Sequence, residues 1–179
     1  MRAHAEWQAT TLANNGSYGN IQPGIDFFAR LARTGNFNHA IAGMESIAAG
    51  QTPIVIEWDY LDLQHTDGLR SAGVDWKVAI PFDGSFAQYY AQAINKDAPH
   101  PAAARLWEEY LASPEGQNLR LVDYARPVLM DAMAHNGTLG TALAAKLPTV
   151  EGEPFFPTQT QLTTALKVLR ANWPTAAPG

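Results

Sequence analysis

Apolar positions along the chain fall into short blocks divided by turn residues, with no long periodic run. Behind Pro23, which suits a first helical turn, GIDFFARLARTG places Phe27, Phe28 and Leu31 on one face, and Gly35 offers a stop. A second helix is expected from Asn38 as N-cap through Ile41, Met44 and Ile47 to Gly50. Three strands follow in this reading. TPIVIEW is a β-branched apolar run of the buried kind. VDWKVAIP alternates and closes on Pro81, and after the turn FDGS comes the aromatic-rich FAQYYAQAIN.

The remainder reads as helical. PHPAAARLWEEYLASPEGQ has Pro101 in a first turn and Leu106, Trp107, Tyr110 and Leu111 as an expected buried face. Ser113 then serves as N-cap and Pro114 as first residue of the next helix. PVLMDAMAHNG and TLGTALAAKLP predict two more. The last helix is expected from about Pro157 to Trp173, with Leu162, Leu166, Leu169 and Trp173 at near-helical spacing and the tail PTAAPG frayed. Helices around a few strands make the fold class α/β or α+β, with few strands for so many helices.

Composition removes several function classes. The 179 residues are 46% hydrophobic, enough for a core in one domain or two small lobes. A net charge of -5 with scattered Lys and Arg argues against nucleic acid, whose footprint is a basic patch. The absence of cysteine excludes disulfides, thiolate nucleophiles and Cys–zinc sites. His4, His39, His65, His100 and His135 are never three or four residues apart, so no local metal box forms, and no cofactor is expected. There is neither a G-x-S-x-G elbow nor a P-loop. A small hydrolase-type enzyme stays as the competing class; it predicts turnover on ester, phosphate or glycoside substrates. No run approaches the ~18 apolar residues of a membrane span. MRAHAEWQATTLANNGSYGN lacks the apolar segment of a secretory signal, so the chain as given reads as soluble, with any export signal lying outside it.

Two local patterns point to ligand chemistry. Glu57-Trp58-Asp59-Tyr60 leaves a predicted strand, where ligands of open α/β sheets bind. An aromatic beside a carboxylate suits an ammonium group through cation–π contact and charge pairing. The plainer alternative is a strand-end aromatic packed on the core beside two solvated acids. The loop Asn15-Gly16-Ser17-Tyr18-Gly19-Asn20 precedes a helix, where backbone N–H groups favour phosphate or carboxylate; the alternative is a plain capping loop.

The run AQAINKDAPHPAAARLWEEYLASPEGQ resembles the carboxyl half of bacterial ABC-transporter extracellular solute-binding proteins, where a strand, a helix, a Ser-Pro-Glu-Gly turn and another helix follow in that order. IDFFARLARTGNF with ESIAAGQTPIVIEWDYL upstream, and YARPVLMDAM downstream, are similar to further segments of that family. The resemblance covers roughly residues 12–148. It implies a type II periplasmic-binding-protein-like α/β fold, incomplete here, with portions of two lobes. Residues 1–80 would form part of the carboxyl-terminal lobe, and residues 81–179 the returning part of the amino-terminal lobe with the C-terminal helices. It also implies a non-enzymatic task, capture of a small polar or cationic organic solute between lobes, and an ABC-transporter permease as partner. The expected location of the parent protein is periplasmic or extracellular.

Within that resemblance Trp58 and Asp59 become cleft residues, and Ser17 and Tyr18 face the cleft. Polyamine-binding relatives offer a tryptophan and an aspartate two residues apart on the next strand, where this sequence has Gln88 and Tyr90. Strand alternation puts those two on one face and Tyr89 on the other, which speaks against the paired tyrosines of iron-binding relatives. The expected ligand contacts are Trp58, Asp59, Gln88, Tyr90, Ser17 and Tyr18. Sheet edges left exposed would pair with another copy of the chain. A truncated fragment without ligand affinity is the alternative outcome.

Overall fold

The computed structural model describes residues 20–38, 42–82 and 84–177. Among them are nine helices: α1 (Gln22–Arg33), α2 (Met44–Ala48), α3 (Asp59–Gln64), α4 (Thr66–Ser71), α5 (Pro101–Ala112), α6 (Pro114–Val122), α7 (Met130–Asn136), α8 (Thr141–Ala144) and α9 (Gln159–Ala176). No sheet forms among the described residues; strand pairing is confined to an isolated parallel bridge between Phe86 and Phe155. The α/β, periplasmic-binding-like expectation is therefore overturned in favour of a helical fold. TPIVIEW, VDWKVAIP and FAQYYAQAIN are mostly irregular or extended segments. Their composition suits a pleated surface, but a strand becomes a strand only when its N–H and C=O groups meet a ladder partner.

The described residues divide into two compact units, one from those between 20 and 88 together with those from 149 to 177, the other from 89–148. In the first unit α1 packs on α9. Ile21, Ile25 and Phe28 recur at helical spacing and meet Ala165, Leu169, Trp173 and Ala177 in one core. Phe28, Phe37 and Trp173 close that core, with ring centroids 5.3 to 5.9 Å apart. Phe27 does not share the buried face with Phe28 as expected; it stands exposed, since adjacent helical residues diverge by ~100°. Gly35 provides the stop after α1 with φ of 74°. Helix α2 is shorter than predicted and begins after Gly43, not at Asn38. Helix α9 starts on a capping box, Thr158 with Gln161. It runs on through Pro174, so for residues 174–177 the expected fraying gives way to a buried Ala177 in the core, while Pro178 and Gly179 lie outside the described residues.

In the second unit the helical hairpin appears where the sequence places it. The Ser113 hydroxyl accepts the Gly116 N–H at 3.1 Å and Pro114 opens α6. The α6 residue Gln117 is buried; its amide donates to the Leu111 carbonyl at 2.6 Å, and its side-chain oxygen accepts the Leu129 N–H at 3.4 Å. Asn118 ties the Thr138 carbonyl and the Gly140 N–H to the same helix. Leu121 and Met133 are the fully buried large apolar side chains of this unit among the described residues. The predicted buried face of α5 is corrected: no residue of α5 is buried, and Leu106, Trp107 and Tyr110 are exposed. Helical spacing identifies an apolar stripe, but what covers that stripe is not written in the helix.

Candidate functional site

The short helix α4 packs on both α2 and α3, and each of the three buries one large apolar residue, Leu69, Ile47 and Leu63 respectively. The segment Glu57-Trp58 enters α3 from extended backbone, with Trp58 as N-cap at φ −66° and ψ 133°. The Trp58 carbonyl accepts the N–H groups of Leu61 and Asp62 at 3.0 and 3.1 Å, which winds the first turn. The Trp58 ring packs on Phe86 with centroids 5.6 Å apart and planes tilted by 34°. Phe86 in turn packs against the core of α1 and α9. Trp58 is thus anchored through one aromatic neighbour while half-buried itself.

Three carboxylates surround that indole in sequence, at Glu57, Asp59 and Asp62. Glu57 and Asp59 are half-buried, whereas Asp62 is only 7% exposed. The Asp62 backbone is held at both ends. Its N–H donates to Trp58, and its carbonyl accepts the His65 N–H at 3.2 Å and the Trp76 indole N–H at 3.1 Å. Its side-chain oxygen Oδ1 has no hydrogen-bond partner. Burial pushes the Asp62 carboxyl up from 3.8 to about 7, with further raising by the charges of Glu57 and Asp59. Burial also raises Glu57, partly offset by His65. A carboxyl cluster of this kind resists carrying all its negative charges at once unless a cation joins it.

A cavity of about 320 Å³ opens beside Trp76, lined also by Thr66, Arg70, Val74 and Lys77. Trp76 is common to this cavity and to the Asp62 carbonyl. Among the described residues no group of three metal-ligating side chains is placed to hold an ion. No helix among them is long and apolar enough to cross a membrane.

The expected ligand residues fall in different places. Trp58 and Asp59 meet in one site at the start of α3. Gln88 is exposed, two residues beyond the Phe86 that supports Trp58. Tyr90 belongs to the second unit and is 79% exposed. Ser17 and Tyr18 lie outside the described residues. Sequence reasoning passed over Asp62, Trp76 and Phe86. The signal for Asp62 was present, since Asp59 and Asp62 are three apart and share a helix face once the segment is read as helix instead of strand end.

A family model described as bacterial extracellular solute-binding protein matches residues 3–146. No curated protein matches the chain. The family match covers most of the chain, which therefore belongs to that family of extracellular solute-binding proteins.

Proposed function

We propose, on the premise that the chain is a bacterial extracellular solute-binding protein, that its solute is a small cationic organic molecule and that it hands this solute to the permease of an ABC importer. The observation that carries the ligand class is the Glu57-Trp58-Asp59 run at the start of α3, with Phe86 against the indole and Asp62 buried in the same first turn. An aromatic face attracts a cation through its quadrupole, and carboxylates at the same place supply both charge and hydrogen-bond acceptors for an ammonium or guanidinium head. An anionic solute would meet like charge at Glu57 and Asp59. The task is binding without turnover. Capture favours the conformation that a membrane partner recognises, a population shift with no covalent step.

Calorimetric titration of the full chain with primary ammonium, guanidinium, carboxylate and phosphate solutes tests this reading. Saturable heat is expected from cationic solutes alone. Trp58→Ala should weaken that binding by about 5- to 10-fold, the scale of one cation–π contact. Binding of anions in preference to cations, or an unchanged affinity in Trp58→Ala, would refute it.

A further inference from the structure

Helix α5 is twelve residues long, and its two sides differ. Ala104, Glu108 and Leu111 are half-buried and mark the side turned toward its own unit. The opposite side carries Ala102, Ala103 and Leu106. Trp107 and Tyr110 run along one margin of it, Arg105 and Glu109 along the other. Leu106 is 68% exposed and Trp107 55%, although the Trp107 and Tyr110 rings stack with centroids 5.6 Å apart. The apolar surface continues beyond the helix. A groove of about 400 Å³ lies between Ala104 and Trp107 of α5 and residues 91–95, and the preceding Tyr89 and Tyr90 are exposed. No residue from 89 to 95 is charged. A contiguous apolar surface of this kind, rimmed by charge, marks an interaction site.

We propose that this side of α5 docks a second copy of the chain, the two α5 helices packing antiparallel about a two-fold axis at Trp107. The charge pattern selects that occupant. A two-fold axis pairs a surface with itself. In an antiparallel helix pair each margin meets the same margin of its partner. Centring the pair on Trp107 sets residue 105 of one copy level with residue 109 of the other. Arg105 then faces the partner's Glu109, and the contact occurs twice. Neither residue takes part in an ion pair among the described residues, so both charges are available for it. On the other margin Trp107 meets the partner's Trp107. Along the seam Leu106 packs between alanines, whose small side chains let the helices approach closely. A parallel pair would set the charged margin against the aromatic one, with no charge matched.

Size sets the strength of the pairing. A specific interface buries about 1,000 Å² or more over both partners. A helix of this length spans only ~18 Å, so the seam needs the rim of the groove and Tyr89 or Tyr90 to reach that area. The expected dimer is weak and reversible, with a Kd on the order of 10 µM, as befits a small interface. The net charge of -5 on each copy adds repulsion everywhere except at matched charges and uncharged surface, which favours this face over the others. The proposal stands apart from the solute reading, since α5 belongs to the second unit and Trp58 to the first.

The test is sedimentation velocity of the full chain from about 1 to about 200 µM, a range that brackets the expected Kd. The sedimentation coefficient should climb reversibly from that of a monomer to that of a dimer. Trp107→Ala should weaken the dimer by at least about tenfold, the scale of a central aromatic anchor. Arg105→Glu and Glu109→Arg each set like charges against one another and should each weaken self-association about tenfold. An equimolar mixture of those two variants should regain it, because every reversed charge then meets its opposite. None of these residues is buried, so circular dichroism and urea unfolding of the variants should match the unaltered chain. A monomer across the whole range, including one whose exposed face takes up an apolar dye, gives the face to a different occupant and overturns the proposal. A dimer that survives Trp107→Ala and both charge reversals uses another surface and also overturns it. A mixture that stays as weak as its components overturns the antiparallel register.

Discussion

Replacing Asp62 by Asn keeps the side chain's shape and removes its ability to ionise, so it isolates what that carboxyl does to stability. The folded-state value of about 7 lies above the ordinary 3.8. Between those values the folded protein holds a proton that the unfolded chain has already lost. The stability this contributes is complete below about pH 4 and disappears as pH rises through about 7. A rise of about three pH units at ~1.36 kcal/mol each sets a ceiling of ~4 kcal/mol. The shift is mainly a desolvation penalty, which relaxation and water entry reduce, and the lesser effect of the half-buried Glu57 and Asp59 is partly screened, so about 2 kcal/mol is the expected size. For a chain of this length that is about 4–8 °C in melting temperature. The assay is urea and thermal unfolding of both proteins at pH 4, 6 and 8. At pH 4 the two should coincide; at pH 8 Asp62→Asn should be the more stable by about 2 kcal/mol. Equal pH slopes in the two proteins, or a variant less stable at pH 8, would refute the account of Asp62 as a buried acid whose Oδ1 lacks a hydrogen-bond partner.

Two further outcomes test the packing that supports the site. Leu169→Ala opens a cavity between α9 and α1 where the leucine is 1% exposed, and should cost ~2–5 kcal/mol in urea unfolding. Gly116→Ala should destabilise the α5–α6 hairpin by ~1–3 kcal/mol although Ala favours helix, because an added Cβ runs into the Tyr110 carbonyl and the Leu111 backbone. Faster amide exchange confined to α6 would confirm the second, and unchanged exchange would refute it.

Local punctuation was the most legible part of the sequence. The start of α5 at Pro101, the cap at Ser113 with Pro114, and the stop at Gly35 all depend on one residue's backbone chemistry, so each was readable in isolation. That Trp58 and Asp59 stand together at the start of α3 was visible for the same reason: the two are neighbours in the chain. The helical spacing of Leu169 and Trp173 likewise anticipated their burial on α9.

What depended on distant partners was decided only by the tertiary structure. TPIVIEW carries every compositional mark of a strand, yet strand formation needs a second chain segment at hydrogen-bonding distance, and its own residues cannot say whether one arrives. Leu106, Trp107 and Tyr110 line up on α5 by spacing alone, and their exposure follows from what does not pack there within the described residues. Asp62 is the clearest case. Its identity and its helical register with Asp59 are written in the sequence, but its burial is set by the packing of α3, and Trp76, which holds its carbonyl, lies fourteen residues further on. A carboxyl's proton affinity follows the water and the charges around it, and those are assembled only when the chain folds.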